Sequence, residues 1–131
     1  MEKGMKYVLS SCVTEENTAV ALRSGSLRVF STVALIQMIE EAAVKCLSGT
    51  LEEGTTTVGI KLDIDHVLAS PVGSDVKVEV EVTDISENGK IITFDVKAYD
   101  VKDLIGEGTH KRAVIKEARF LEKCYSKLEG R

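Results

Sequence analysis

The sequence predicts an α+β domain, in which helices pack on one side of an antiparallel sheet. Three observations carry this prediction. Residues 30–47, FSTVALIQMIEEAAVKCL, are apolar around most of a helical circumference. From residue 55 onward the apolar residues recur with a period of two, which is typical of strands. The segment ENGK at 87–90 contains an Asn-Gly pair, which indicates a β-hairpin.

Composition bounds the architecture and the partners. The chain has 131 residues, 44% hydrophobic and 29% charged, and we expect one domain over residues 1–131. The formal net charge of −4 argues against nucleic acid as a partner, because phosphate binding needs a basic surface. No apolar run reaches the length of a membrane helix, about 18 residues. The N-terminus lacks a secretion signal, so we expect a cytoplasmic protein with reduced cysteines.

The N-terminal part is predicted to contain two short strands and then the long helix. MKYVL and TAVALR have the composition of strands and flank the polar turn TEEN. SGSLRVF is predicted to be the loop that leads into the helix. We expect Ser31 or Thr32 to cap the helix and Gly49 to follow its last turn.

Four strands and a terminal helix are predicted after the turn LEEGT. The strand segments are TTTVGIKLDID, DVKVEVEVTDI, IITFDVKAYDV and LIGEGTHKRAVI. Each carries apolar residues at alternate positions over part of its length. The tail KEARFLEKCYSKLEG has apolar residues at helical spacing, which predicts a C-terminal helix.

The hairpin permits a prediction of register. A two-residue Asn-Gly loop, which suits a type I′ turn, sets Val82 against Asp95, and these two residues belong on opposite faces of the sheet. One extra residue at 83–84 repairs the pattern and places Val82 opposite Phe94. We therefore predict a β-bulge there.

Glu40 lies inside the apolar arc of the long helix. Ile36 and Leu47 flank it on one side, and Val33 and Val44 on the other. Burying an ionised carboxylate is costly unless it is paired, hydrogen-bonded or protonated. Glu40 is therefore the first candidate for a functional residue; the alternative is a carboxylate at the edge of the arc that reaches water. The width of the arc predicts that a curled sheet wraps the helix and that a partner covers a second surface.

Two histidines offer further chemistry. His66 ends KLDIDH, where the chain leaves a strand for a loop, and loops at strand ends often carry function; a surface histidine is the alternative. His110, Lys111 and Arg112 form a basic cluster suited to a phosphate, with a solvated strand face as the alternative. These histidines have no cysteine or carboxylate cluster at ligand spacing, which argues against a metal site.

Several segments resemble one known family. VFSTVALIQMIEEAA, TVGIKLDIDHVLASPVGSDV, ITFDVKAYD and IGEGTHKRAVI are similar to the fluoroacetyl-CoA thioesterase-like family of hotdog-fold proteins. The family signature is a Thr at the helix start, a Glu eight residues on, and a His 26 residues after that; here these are Thr32, Glu40 and His66. Gly59 matches a family glycine near the reacting carbonyl, and GEGTHKR matches the last-strand pattern G-x-G-T-H-x-R.

The resemblance implies a hotdog fold, a curled antiparallel sheet around a central helix, in a homodimer or a tetramer of paired dimers. It implies an acyl-CoA thioesterase without a separate cofactor, because CoA is part of the substrate. Thr32, Glu40 and His66 would be catalytic, with Glu40 as nucleophile or general base in a dry pocket, where protonated His66 would be the charged partner of its carboxylate. The backbone N–H of Gly59 would meet the oxyanion.

The sequence indicates the class of substrate and does not identify the acyl group. Phe30 is an expected substrate-binding residue and the one aromatic residue in the stretch before the helix. Family members that act on a small acyl group need a tight, specialised pocket, so we expect an acyl-CoA substrate and not fluoroacetyl specificity. Lys111, Arg112 and Lys116 are the expected contacts for the CoA phosphates. Two alternatives remain: a non-catalytic acyl-CoA-binding module, and a hotdog hydratase or dehydratase.

Overall fold

Five strands and two helices make up the fold in the computed structural model, which describes residues 1–130. The strands are β1 (Lys6–Cys12), β2 (Thr55–His66), β3 (Asp75–Ile85), β4 (Ile91–Tyr99) and β5 (Leu104–Lys116). The helices are α1 (Thr32–Cys46) and α2 (Glu117–Tyr125), with single 3₁₀ turns at Glu15–Asn17 and Ser126–Leu128. The α+β class predicted from the sequence is confirmed.

The sheet wraps around α1. Its strand order is β1-β3-β4-β5-β2, and every neighbouring pair is antiparallel. The helix contacts β1 and β2, the two edge strands, as well as β3 near one edge. A flat sheet could not bring both edges to one helix, so the curl that the wide apolar arc predicts is present. In one chain, β2 has a hydrogen-bonded neighbour on one side only.

Alternation along β3 and β4 builds the core. The inward residues of the two strands face each other in register, with Val80 opposite Val96 and Val82 opposite Phe94. They pack with the apolar side of α1, where Leu35, Ile39 and Ala42 are fully buried. The fully buried sheet residues in this layer include Val76, Val78, Val80, Ile92, Phe94 and Ala98.

The start of α1 leaves Thr32 free for other contacts. Ser31 is the N-cap, and its hydroxyl oxygen accepts a hydrogen bond from the Ala34 N–H at 2.9 Å. Thr32 is therefore the first helical residue, with an exposed side chain. The helix ends at Cys46, and Gly49 follows in the left-handed region at φ 82°, where glycine carries no Cβ penalty.

The predicted β-bulge is confirmed, but the turn type is wrong. The register of β3 and β4 shifts between Val82 and Asp84. A type I′ turn needs positive φ at both Asn88 and Gly89, and only Gly89, at 71°, has it. The Gly89 N–H donates to the Ser86 carbonyl at 2.8 Å, so the β-turn spans 86–89 and glycine closes it.

The predicted strand TAVALR is wrong. Thr18 makes a single bridge to Phe30, and the residues after it form turns. Val20 and Leu22, whose apolar side chains suggested a strand, are 48% and 41% exposed. The backbone of this segment forms hydrogen bonds with the residues just before the helix: the Ala19 N–H donates to the Val29 carbonyl, and the Val20 N–H donates to the Leu27 carbonyl.

The C-terminal helix is confirmed and lies on the surface. None of its residues is buried, and Leu121 and Tyr125 are exposed. No helix within residues 1–130 has the length and apolar character to cross a membrane. Cys12, Cys46 and Cys124 are free thiols.

Truncating a fully buried side chain on α1 should destabilise the fold strongly. Ile39→Ala removes a side chain with no exposed area, and such changes typically cost about 2–5 kcal/mol. Val101→Ala, at a position 73% exposed, should cost no more than about 0.5 kcal/mol. Urea unfolding at one fixed protein concentration measures both. Equal midpoints for the two variants would contradict this account of the core.

Candidate active site

Glu40 lies on the side of α1 that faces β2, and Gly59 gives it room. A Cβ at residue 59 would collide with Glu40 Oε2, so a glycine lets the carboxylate lie directly against the strand. Next to this contact, the register of β2 against β5 shifts between Gly59 and Lys61. A β-bulge of this kind interrupts the ladder and re-aims local backbone groups.

The Arg112 guanidinium, on the inner face of β5, contacts the Glu40 carboxylate. Its Nη1 lies 3.3 Å from Glu40 Oε2, and the Arg112 side chain is only 6% exposed. Nε donates to Thr57 Oγ1 at 2.9 Å, and Nη2 donates to the Thr57 carbonyl at 3.1 Å. Burial lowers the pKa of Arg112, and the Glu40 carboxylate opposes that shift. The guanidinium, which extends from β5, is therefore held by Thr57 on β2 and contacts Glu40 on α1.

This position corrects the phosphate role expected for Arg112. Strand alternation turns His110 and Arg112 toward the interior, where both are buried, and Lys111 to the other face. The three basic residues therefore do not form one surface cluster. All the hydrogen bonds of the Arg112 guanidinium within residues 1–130 go to Thr57, His110 and Glu40.

His110 completes the buried network. It has no exposed surface, and its ring stacks on Phe94 with centroids 6.1 Å apart. Nε2 lies 3.2 Å from Arg112 Nη1, which can only donate, so Nε2 accepts. Nδ1 then carries the proton and donates to the Lys61 carbonyl at 2.8 Å. Burial, with the charge of Arg112 adding to it, lowers the pKa of His110 and keeps the ring neutral.

Thr32 and His66 form a second group at the other end of β2. Thr32 Oγ1 and His66 Nδ1 are 2.8 Å apart, and the His66 ring meets Phe30 edge to face at 6.3 Å. Burial lowers the pKa of His66, which favours the neutral ring. His66 Nε2 is buried and has no hydrogen-bond partner within residues 1–130. Buried polar atoms are rarely left so, which makes this nitrogen a candidate for substrate contact.

A cavity of about 240 Å³ adjoins this second group. Its polar lining residues are Thr32, His66, Ser24 and Ser31, and Phe30 forms part of its wall. The other lining residues are mostly small or apolar and include Ala19, Val29, Val67, Leu68 and Ala69. Phe30 is thus placed next to the candidate catalytic residues, where a substrate-binding role was expected.

Within one chain the two groups do not meet. Gly59 and His66 are separated by seven residues of β2, a span of about 23 Å at 3.3 Å per residue. Thr32 and Glu40 are eight residues apart on α1, about 12 Å along its axis. The expectation that His66 is the charged partner of Glu40 is not met inside one chain, because Arg112 takes that place.

The expected dry pocket around Glu40 is also absent from the single chain. The Glu40 side chain is 41% exposed, and Val33 and Val44 beside it are 51% and 49% exposed. Sequence reasoning also missed Thr57, which holds Arg112. Its place two residues before Gly59 on the same strand face is the signal that points to it. No group of three His, Cys, Asp or Glu in residues 1–130 is arranged to ligate a metal ion.

A five-stranded curled sheet around one helix, with a threonine and a carboxylate on that helix and a histidine at the end of an edge strand, defines a hotdog-fold protein of the thioesterase class. A family model described as fluoroacetyl-CoA-specific thioesterase matches residues 13–118. The fluoroacetyl-CoA thioesterase of Streptantibioticus cattleyicolor is 34% identical over 99 residues, which cover 76% of this chain and 70% of that protein. This protein therefore belongs to the fluoroacetyl-CoA-specific thioesterase family.

Solved structures agree with this assignment. A crystal structure of the fluoroacetyl-CoA thioesterase FlK superposes with a TM-score of 0.90 at 29% identity and covers 97% of each chain. A Thermus thermophilus protein described as a thioesterase superfamily member gives a TM-score of 0.86 at 25% identity, covering 98% of this chain and 93% of its own. A hot-dog-like protein of Thermanaerovibrio acidaminovorans, with a TM-score of 0.90 at 24% identity over 100% of this chain and 96% of its own, shares the fold. The predicted hotdog architecture is confirmed.

The buried His110 predicts a loss of stability in acid. Its pKa lies below the ordinary 6.5, so unfolding takes up a proton once the pH falls through about 6.5. The stability that neutral His110 contributes is therefore present above that pH and lost below it. His66 shifts in the same direction, so His110→Asn should remove only part of the loss.

Melting temperatures from about pH 8 to about pH 5 measure this effect. Lys111→Asn, next to His110 but on the other strand face, is the matched control and should keep the wild-type slope. Each variant is compared with its own value at the upper pH, because His110→Asn also weakens the buried network. Identical slopes in wild type and His110→Asn would show that His110 does not carry the acid sensitivity.

Proposed function

We propose that this protein hydrolyses acyl-CoA thioesters and that Glu40, His66 and Thr32 are its catalytic residues. The observation that carries the proposal is the Glu40 carboxylate, seated against Gly59 and fixed by a buried arginine. Orienting a carboxylate in this way serves a reaction more directly than it serves stability, because an ion pair with one partner open to water contributes little to stability.

Glu40 either attacks the thioester carbon directly or activates a water molecule that attacks it. In one route its carboxylate oxygen bonds to the thioester carbon, the C–S bond breaks, and water then hydrolyses the resulting anhydride. In the other, Glu40 takes a proton from a water whose oxygen attacks the same carbon. Both routes consume one water and give a carboxylic acid and free CoA. The exposed 41% of the Glu40 side chain leaves the carboxylate accessible to substrate or water.

The strand beside Glu40 stabilises the oxyanion. A thioester carbonyl becomes an oxyanion as it is attacked, and backbone N–H groups are effective donors to such a charge. We assign this role to the N–H of Gly59, next to the β-bulge in β2. The absence of a Cβ at this position permits close approach of the substrate.

His66 supplies the proton for the leaving thiolate. If the Thr32 hydroxyl donates to His66 Nδ1, the neutral ring carries its proton on Nε2, the atom that has no partner within residues 1–130. Nε2–H can then protonate the CoA sulfur. Thr32 thus sets the tautomer and orientation of His66 and does not need to reach Glu40.

Two subunits complete the site in this proposal. The two groups lie far apart along β2 in one chain, and Val33 and Val44 beside Glu40 are half exposed. The free edge of β2 and this half of α1 offer a surface on which a second copy would place its own Thr32 and His66 near Glu40. We therefore propose a homodimer, with a tetramer of paired dimers as the larger assembly.

The comparisons support an acyl-CoA substrate. FlK, with which this chain shares 28–30% identity, is described as a fluoroacetyl-CoA thioesterase, and one of its variants was crystallised with fluoroacetate and CoA. For the present protein we propose acyl-CoA esters as the substrate class. A cytoplasmic location stays a prediction.

Removing the carboxylate should abolish turnover without unfolding the protein. Glu40→Gln keeps the shape of the side chain but loses its basicity, and His66→Ala loses the proton donor; each should lower kcat at least about 100-fold. Glu41→Gln is the matched control, because Glu41 is the next helical residue and its ion pair within residues 1–130 is with Lys45 at the surface. Release of free thiol from acyl-CoA esters measures kcat. A Glu40→Gln variant as active as Glu41→Gln would reduce Glu40 to a structural role.

The dimer should depend on the exposed apolar side of α1. Val44→Lys places a charge on the surface proposed to meet the partner, so it should shift the protein toward monomer. Gln37→Lys, at an exposed polar position of the same helix, should leave the assembly unchanged. Sedimentation velocity at micromolar concentration reports both. A wild-type protein that sediments as a monomer would refute the two-subunit site.

A further inference from the structure

The wall of the cavity beside His66 is held by contacts that lie outside the cavity. Residues 67–71, here called the cavity loop, follow β2, and three of them line the cavity: Val67, Leu68 and Ala69. One end of the loop is bound to β5, because the Val67 N–H donates to the Ile105 carbonyl at 2.8 Å. Ser70 holds the other end, and it lies behind the wall with no exposed surface.

Ser70 joins the cavity loop to two other segments of the chain. Its carbonyl accepts a hydrogen bond from the Phe30 N–H at 3.0 Å, and its hydroxyl donates to Asp100 Oδ2 at 2.7 Å. The first bond holds the segment just before α1, where the Phe30 ring meets His66 edge to face. The second bond reaches the β4–β5 turn (residues 100–103). A buried hydroxyl needs a partner, and the partner of Ser70 is a carboxylate from a distant part of the chain.

The two carboxylate oxygens of Asp100 have different partners. Oδ1 accepts from the Lys102 N–H at 2.8 Å and from the Asp103 N–H at 2.7 Å, so it holds the β4–β5 turn itself. Oδ2 is left to accept from Ser70. Burial raises the pKa of Asp100, but the hydrogen bonds from Asp103, Lys102 and Ser70 together outweigh it, and the pKa lies below its ordinary value. Oδ2 is therefore part of an ionised carboxylate, which makes stronger hydrogen bonds than a neutral acceptor.

The cavity loop and Phe30 together form the surroundings of the His66 ring. His66 directly precedes the loop, and Phe30 lies two residues before Thr32, the hydrogen-bond partner of His66. Burial lowers the pKa of His66, and the backbone of Leu68 in the cavity loop opposes that shift. No charged side chain within residues 1–130 contributes to it. The position of the loop therefore controls both the hydration and the electrostatic surroundings of this ring.

We propose that Ser70 and Asp100 are positioning residues for His66. The hydrogen bond between them fixes the end of the cavity loop and, through the Ser70 carbonyl, the position of Phe30. Both residues act through the wall of the cavity and the His66 ring, without contact to the substrate. The catalytic consequence rests on the thioesterase function proposed above, whereas the surroundings of the His66 ring can be measured without turnover.

Removing the Ser70 hydroxyl tests the proposal. Ser70→Ala keeps the carbonyl that accepts from Phe30 but loses the bond to Asp100, so the loop should loosen and admit water. The pKa of His66 should then rise toward its ordinary 6.5. Histidine-ring NMR of the full chain measures this rise, because the sequence contains two histidines and gives two ring signals. His110 belongs to the Arg112 network and is the internal reference, so its titration should not change.

Ser74→Ala is the matched control. The Ser74 hydroxyl oxygen accepts from the Val101 N–H at 3.1 Å, so this change loosens the same turn and leaves the bond between Ser70 and Asp100 in place. The titration of His66 should remain that of wild type. Asp100→Asn is the second disrupting variant and preserves the turn. Its amide oxygen can accept from the two turn N–H groups, while its NH2 group cannot accept from Ser70, so the pKa of His66 should rise as in Ser70→Ala.

Turnover gives the catalytic readout. Ser70→Ala should lower kcat for acyl-CoA esters about tenfold and leave KM within about twofold, since a misplaced catalytic group costs rate more than binding. Ser74→Ala should keep the kcat of wild type. Ser70→Ala combined with Asp100→Asn should be no slower than Ser70→Ala alone, because both changes remove the same bond.

The positioning proposal and the thioesterase proposal fail separately. An unchanged pKa of His66 in Ser70→Ala and Asp100→Asn, or an equal rise in Ser74→Ala, would refute the positioning role whatever the activity. A raised pKa with the kcat of wild type would also refute it, since the ring would then move without consequence for the reaction. If the wild-type protein cleaves no acyl-CoA while Ser70→Ala still shifts His66 alone, the link between Ser70 and His66 stands and the thioesterase function does not.

Discussion

The buried guanidinium of Arg112 joins the three elements on which the candidate site depends. It comes from β5, binds Thr57 on β2 through side chain and backbone, and meets Glu40 on α1. Removing an arginine from water is costly unless its donors find acceptors. Thr57, His110 and Glu40 supply those acceptors, so the ring tautomer of His110 and the seat of the Glu40 carboxylate are both set by this one group.

Gly59 makes the same arrangement possible from the other side. The strand that holds Thr57 must pass within contact of Glu40 Oε2, and any side chain at residue 59 would push the carboxylate away. The β-bulge that follows leaves β2 paired with β5 up to His66, which belongs to the second group of candidate catalytic residues. The position of the Glu40 carboxylate and the register of β2 are thus consequences of one local geometry.

Periodicity was sufficient for most of the fold and for only part of the site. The valines of β3 and the apolar arc of α1 follow from alternation and helical spacing, and even the bulge near Asp84 could be inferred from mismatched faces. The strand predicted for TAVALR was wrong because the backbone of a short apolar segment can form its hydrogen bonds within a local loop and leave its side chains in water. The prediction of the partner of Glu40 was wrong because Arg112 lies 72 residues away in the sequence. Periodicity places Arg112 on an inner face of the sheet but does not show which helical residue it contacts.

The half-exposed state of Glu40 has a physical consequence for the assembled protein. A carboxylate beside a buried guanidinium and open to water on its other side interacts in a high effective dielectric, so its charge is well screened. In the proposed dimer a second subunit would cover Val33 and Val44, water would leave, and each remaining electrostatic interaction of Glu40 would strengthen. The same covering would raise the reactivity of Glu40 and bury apolar surface, so association and catalysis would be driven by one event. A chain that kept Glu40 fully enclosed by itself would gain no such coupling, and it would also shut the substrate out of the site where His66 is proposed to protonate the leaving sulfur.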